Sequence, residues 1–410
     1  MQRTVLFMRP IAVALAVFFA VFATTRSNAQ EIILHSFSGN DGWNPSSSVI
    51  FDSAGNLYGA TSVGGVNGAG TIYKLTPGSS GWSASVLYTF NGVGGDLPSG
   101  SLSLDAQGNL YGTTSQGGAA SVGTAFQLSP SSGSEWTFTG MHDFSNHGGD
   151  GTYPHSGLVF DAIGNAYGTT LGGGASKQGI IFKLSPASGG GWNETLIHSF
   201  DGTDGSQPDA GVVMDKAGNL YGSTQFGGTS SNCFTGCGVV FELSPAAGGT
   251  WTYKVLLDFN SNNGAAGSGQ LTIDPNGNLY GFTSAGGLYN WGIVYKLTHT
   301  TSGWKESILH NFNSNGVDGN NPVGALLIDK AGNLYGVTSN GGKYNGGTVY
   351  ELSPGANGHY RETIVHNFNS NTTDGWDPNA GLTVDGAGNF YGTTMSGGAN
   401  GDGTVFELKR

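Results

Sequence analysis

Two short loops hold the residues of this 410-residue chain best equipped for chemistry: Asp41-Gly42-Trp43-Asn44-Pro45 and Asp374-Gly375-Trp376-Asp377-Pro378. An indole beside carboxylates and an amide suits a sugar, because the ring stacks on apolar C–H faces while the oxygens take hydroxyls. Asp41, Trp43, Asn44, Asp374, Trp376 and Asp377 are therefore the expected ligand-binding residues. Asp41, Asp374 and Asp377 would also supply paired carboxylates for glycoside cleavage if they met on one face. The competing reading is structural, with Asp-Gly capping a turn and Trp covering an edge. An acid near a Pro recurs at Asp96 and Pro98, Asp150 and Pro154, Asp204 and Pro208, and Asp318 and Pro322, whereas the stretch from Asn260 to Gly267 breaks the pattern.

Other groups are weaker candidates. His35, His142, His198, His310 and His366 recur at one position of a repeated strand. Metal or catalytic use would need several of them to converge, so they are expected to be structural filler. Seven repeated Asp residues, from Asp52 to Asp385, each open a turn, and one carboxylate per turn falls short of the six to eight oxygens of calcium. The sequence has no G-x-S-x-G elbow, H-E-x-x-H, P-loop, dinucleotide fingerprint or sialidase-type S-x-D-x-G-x-T-W box. No catalytic residue, metal or cofactor is expected, and the near-identity of the units argues against enzyme work, although Asp41, Asp374 and Asp377 on one face leave a glycan-cleaving alternative open.

Composition narrows the elements that position these loops. Gly accounts for 74 residues and only 10% are charged. Glycine at this density disfavours long helices, its lack of a three-residue period excludes collagen, and 11% aromatic content argues against disorder. The first 29 residues read as an export signal: Arg3 and Arg9, an apolar run from Ile11 to Ala23, then Ser27-Asn28-Ala29 before Gln30. Such a run is too short to span a bilayer. The signal takes three Arg and no acid with it, so the mature chain is more acidic than the −12 of the full sequence, and nucleic acid is excluded as a partner. Cys233 and Cys237 are expected to form a local disulfide in the oxidising compartment, with a weak two-ligand metal site as the rival.

The string D-x-x-G-N-x-Y-G-x-T occurs seven times, beginning at Asp52, Asp105, Asp161, Asp215, Asp274, Asp329 and Asp385. Each copy continues into a Gly-Gly pair, and each unit reads as four short strands. The first ends at the Asp, the second is L-Y-G-x-T, and the third is of the G-T-V-F-E-L type. The fourth runs from an aromatic residue to a Phe eight positions later, as from Trp82 to Phe90, and the even spacing predicts that both ends lie on one side of the strand. The seven box Tyr residues, Tyr58 to Tyr391, are expected to pack between units.

Four-stranded units repeated around an axis make an all-β, seven-bladed β-propeller. The mature chain begins with a lone fourth strand, Glu31 to Phe37, and ends after a third strand, Gly403 to Leu408. Docking one beside the other closes the ring and completes the last blade. The Gly-Gly loops and the crossovers between blades then share one face, which is the expected binding surface because variable loops on a rigid scaffold carry recognition.

These boxes resemble the Gloeo/Verruco ("GloVer") tandem repeat of bacterial exported proteins called choice-of-anchor GloVer-containing proteins, over nearly the whole mature chain. The turn box is also distantly similar to those of two-component-regulator and NHL propellers. The resemblance implies export and repeat architecture and carries no activity. Members often end in an anchoring segment, whereas this chain stops at Glu407-Leu408-Lys409-Arg410, so release is expected. The sequence thus predicts a signal over 1–29 and a single propeller over 30–410. It is expected to be a secreted monomer, with the periplasm as the alternative location, and a non-enzymatic binding or scaffold module for glycans or envelope components. The alternatives are a glycan-cleaving hydrolase or lyase, or a purely protein-interacting module.

Overall fold

The computed structural model describes residues 29–410 except 133–134 and 371–373, so the expected export signal lies outside the described residues save for Ala29. Seven small antiparallel sheets form a seven-bladed β-propeller. Blade one, for example, runs outward from Trp43–Pro45 and Ile50–Phe51 through Leu57–Val63 and Thr71–Gly78 to Gly81–Thr89. Blade seven takes Thr383–Val384, Phe390–Thr394 and Thr404–Lys409 from the C-terminus and Gln30–Ser36 from the N-terminus. The last two strands pair antiparallel from Gln30↔Lys409 to Ser36↔Thr404, which is the predicted closure.

The turn box explains why each hairpin forms. In the first copy Asp52 Oδ1 accepts the backbone N–H groups of Ala54 and Asn56, while Oδ2 accepts Asn56 Nδ2 and the Tyr58 hydroxyl at 2.7 and 3.0 Å. The same four bonds recur in the other six boxes. One carboxylate thus satisfies the turn and holds the Tyr that follows it. The box glycine after the Tyr has a packing reason: a Cβ on Gly59 would lie 2.3 Å from the Tyr73 hydroxyl, because the third-strand aromatic lies across it.

The core is divided into seven apolar wedges, one at each blade junction. In every wedge the Phe closing one blade's fourth strand meets the third-strand aromatic of the next blade, with ring centroids 5.0–5.5 Å apart. The box Tyr of one blade meets the fourth-strand Trp of the next at 5.9–6.4 Å in five junctions. Where that Trp is replaced by Ala29, the Arg410 guanidinium lies 4.6 Å from the Tyr335 ring centre instead.

These contacts correct one expectation. Trp136 packs toward blade one through Tyr58, whereas Phe144, eight residues later, packs toward blade three through Phe182, so the ends of a fourth strand face opposite sides. The cause is a β-bulge in every fourth strand. In blade one Tyr73 pairs with Val86 but Ile72 pairs with Tyr88, leaving Leu87 as an extra residue that reverses the alternation.

Candidate functional site

The crossover loops and the Gly-Gly loops lie together, as expected. Gly65 N–H donates to Gly39 C=O at 2.8 Å, and Gly118 N–H to Gly92 C=O at 2.9 Å. Within these loops most of the acids serve the framework. Asp41 accepts from His35 Nε2 at 2.8 Å and from the Ser38 backbone N–H at 2.9 Å. His198 and Asp204 repeat that pair at 2.8 Å, and His142 with Asp150, His310 with Asp318 and His366 with Asp374 lie at 3.3, 3.2 and 4.0 Å. The five repeated His and these five Asp are therefore one device. Where the His is replaced by Tyr88 or Leu257, the matching loop position is Gly94 or Asn263. Asp96 does not belong to the set, because it stands two residues later, at the position of Trp43. At one of these junctions burial, and then the neighbouring Asp318, push the Glu362 carboxyl up to about 9.

Trp43 and Trp376 occupy equivalent positions in neighbouring blades and are exposed, at 51% and 36%. They pair across their strands with Val63 and Ser396. Asn44 and Asp377 follow them with φ of +59° and +58°. Leu97, Tyr153, Gln207, Ala266 and Asn321 take the same left-handed conformation at the equivalent position of the other five blades. A non-glycine residue with positive φ is uncommon, and seven in register mark a built feature. Six of them are held by a backbone N–H donated to the preceding blade, as from Asn44 to Asp402 C=O at 3.1 Å. Burial raises the Asp377 carboxyl above its ordinary value.

That turn throws the chain into the central channel. A cavity of about 580 Å³ is lined there by residues from all seven blades, Asn44 among them. Two positions after the left-handed residue, just past the crossover Pro where one is present, the ring reads Ser46, Ser99, His155, Asp209, Ser268, Val323 and Asn379. The residues behind it are small, such as Gly100, Ser156, Ala210 and Gly324, which keeps the channel open. The ring is thus a place where near-identical repeats differ from blade to blade.

His155 and Asp209 are its ionisable members. His155 Nδ1 lies 2.7 Å from Asp209 Oδ1, and Asp209 Oδ2 accepts from Gln225 Nε2 at 2.8 Å. The bond that the ring donates to Asp209 outweighs burial and raises the imidazole above its ordinary value. With Nδ1 engaged, the side chain lines the cavity and is about half exposed, at 48%. Neither residue was singled out from the sequence. The signal that would have found them is the loss of repeat identity after Pro154 and Pro208.

In blade four, Cys233 and Cys237 form a disulfide across the loop between the second and third strands, with Cα atoms 5.2 Å apart. The buried Cys237 also accepts the Ala266 N–H at 3.0 Å, tying that loop to the next crossover.

Fold and site together define a closed propeller with a polar channel mouth. The chain belongs to the Gloeobacter/Verrucomicrobia repeat family, whose sequence model matches residues 20–235, 193–323 and 225–410. Among solved structures it is similar to the extracellular domain of a one component system protein from B. thetaiotaomicron, with 13% identity and a TM-score of 0.55. That likeness covers 93% of this chain and 42% of that one, and it shows the fold alone. A luciferin-regenerating enzyme is similar with 12% identity and a TM-score of 0.47, over 93% of this chain and 96% of the other. No curated protein matches the chain. Among the described residues no helix is long and apolar enough to cross a membrane.

Proposed function

We propose that residues 30–410 act as one exported binding module outside the cytoplasm, taking a polyhydroxylated ligand such as a glycan terminus at the crossover mouth of the channel. The observation that carries this reading is the divergent ring around the cavity. Repeats that keep their turn boxes vary where a ligand would touch them, and six of the seven variants carry hydroxyl, amide, imidazole or carboxylate groups, Val323 being the exception. Such a lining offers paired donors and acceptors to sugar hydroxyls. The exposed Trp43 and Trp376 on the same face extend the surface for stacking, and Asn44 links that surface to the lumen. The acidic charge disfavours nucleic acid as a partner.

A second reading, glycan cleavage, is favoured by one observation: an imidazole whose Nδ1 is held by a carboxylate lines the cavity, a pairing that suits a general base. A glycan array followed by calorimetry on the purified chain tests both. Binding is expected, weakened about tenfold or more in His155→Ala, since losing a charge-assisted bond to ligand is worth more than about 1.4 kcal/mol. Unchanged affinity in His155→Ala and in the Trp43→Ala/Trp376→Ala double variant would overturn the site, and product release from a bound glycan would favour the cleaving reading.

A further inference from the structure

The repeated His–Asp devices on the crossover side of the outer strands are not all alike. In three junctions a glutamate from the next blade's outer strand joins the pair, forming His142–Asp150–Glu194, His310–Asp318–Glu362 and His366–Asp374–Glu31. In each group one donor atom from every residue lies within 4.8 Å of the others. The two pairs without a glutamate serve as an internal comparison. There His and Asp make an ordinary hydrogen bond of 2.8 Å. With the glutamate present, His Nε2 stands 3.2–4.0 Å from the Asp and 3.1–3.8 Å from the Glu.

The His142–Asp150 and His310–Asp318 contacts are still hydrogen bonds, but the lengthened set scatters around the spacing of two ligands on a shared ion. Nitrogen and oxygen donors about 2.0–2.2 Å from a tetrahedral Zn²⁺ stand roughly 3.4 Å from one another. The unmade hydrogen bonds point the same way. Asp318, with 4% of its side chain exposed, leaves Oδ1 without a hydrogen-bond partner, and Glu31, at 9%, leaves Oε1 so. Glu194 and Glu362 each keep a buried unpartnered oxygen as well, and His366 Nε2 makes no hydrogen bond although a carboxylate oxygen lies 3.1 Å away. A buried carboxylate pair without a counter-charge is costly, and a cation between its oxygens removes that cost.

We propose that the three triads bind divalent first-row transition ions of the Zn²⁺ class, one at each of these blade junctions. One imidazole and two carboxylates form a mixed nitrogen–oxygen set with room for water as a fourth ligand, and three donors are too few for Ca²⁺. The ions would brace one blade, its crossover and the next outer strand. The Glu31 site would fasten the N-terminal strand of blade seven to blade six.

The test uses the purified chain, stripped with chelator and titrated with Zn²⁺ by calorimetry and with Co²⁺ by its ligand-field absorption. Three ions per chain are expected, and Glu194→Gln, Glu362→Gln and Glu31→Gln should each remove one. His198→Ala, in a pair that lacks the glutamate, should leave the stoichiometry unchanged. No ion retained by the wild-type chain at millimolar metal overturns the proposal, whatever the variants do. Full stoichiometry in the folded triple Glu→Gln variant overturns it equally.

Discussion

At the scale of the residue, one carboxylate per unit does the most structural work. Asp161 is typical: burial opposes its ionisation, but bonds from the Asn165 side chain and backbone, the Tyr167 hydroxyl and the Ile163 N–H outweigh it and hold the group below its ordinary value of 3.8. A carboxylate whose folded pKa is depressed adds stability that is present above the unfolded value and is lost as the pH falls through the folded one. All seven boxes are shifted in this direction. The melting temperature is therefore expected to hold steady through mildly acidic buffers and to fall steeply once the pH drops below the ordinary Asp value. Asp161→Ala should cost about 1–3 kcal/mol at neutral pH, because it leaves partly buried donors unpaired. A melting temperature unchanged on acidification would count against this account.

At the scale of the element, the turn boxes and strand order were legible in the sequence because they depend on neighbours a few residues apart. The bulge was not. Spacing alone places Trp82 and Phe90 on one side, and only the pairing of Tyr73 with Val86 and Ile72 with Tyr88 reveals the extra Leu87. Deleting Leu87 removes the extra residue and leaves Val86 opposite Tyr73 and Tyr88 opposite Ile72, so Phe90, which is fully buried, should keep its place in the wedge. Phe90→Ala should cost about 3–5 kcal/mol and the Leu87 deletion less, as chemical denaturation would measure. A deletion variant as destabilised as Phe90→Ala would mean that the bulge does not set the facing. The His–Asp pairing also went unread, though it was written in the chain: each His is matched by an acid four residues before the crossover Pro, and both are replaced together in the remaining two units.

At the scale of the whole molecule, stability rests on closure. Each wedge draws on two blades, so the ring has no independent unit, and blade seven is assembled from both ends of the chain. Removing Gln30–Ser36 would leave Thr404–Lys409 as an open edge and take Ile33 and Leu34 from two wedges. We expect the melting temperature to fall by about 10 °C or more, with concentration-dependent association through the bare edge seen by light scattering. An unchanged transition in a monomeric protein would refute the importance of closure.

The sequence by itself determined the repeat, the four strands of each unit, the seven-fold count and the closing strand, because all of these follow from local periodicity and from counting. It also marked the crossover loops as the variable side. Tertiary structure decided which loop residues work together. Asp41 and Asp374 join the loop framework, whereas His155 and Asp209, 54 residues apart in sequence, meet at 2.7 Å on the channel. Glu31 reaches His366 only because the ring closes. Contacts between blades depend on the curvature that brings one unit against the next, and no pattern within a single unit encodes that.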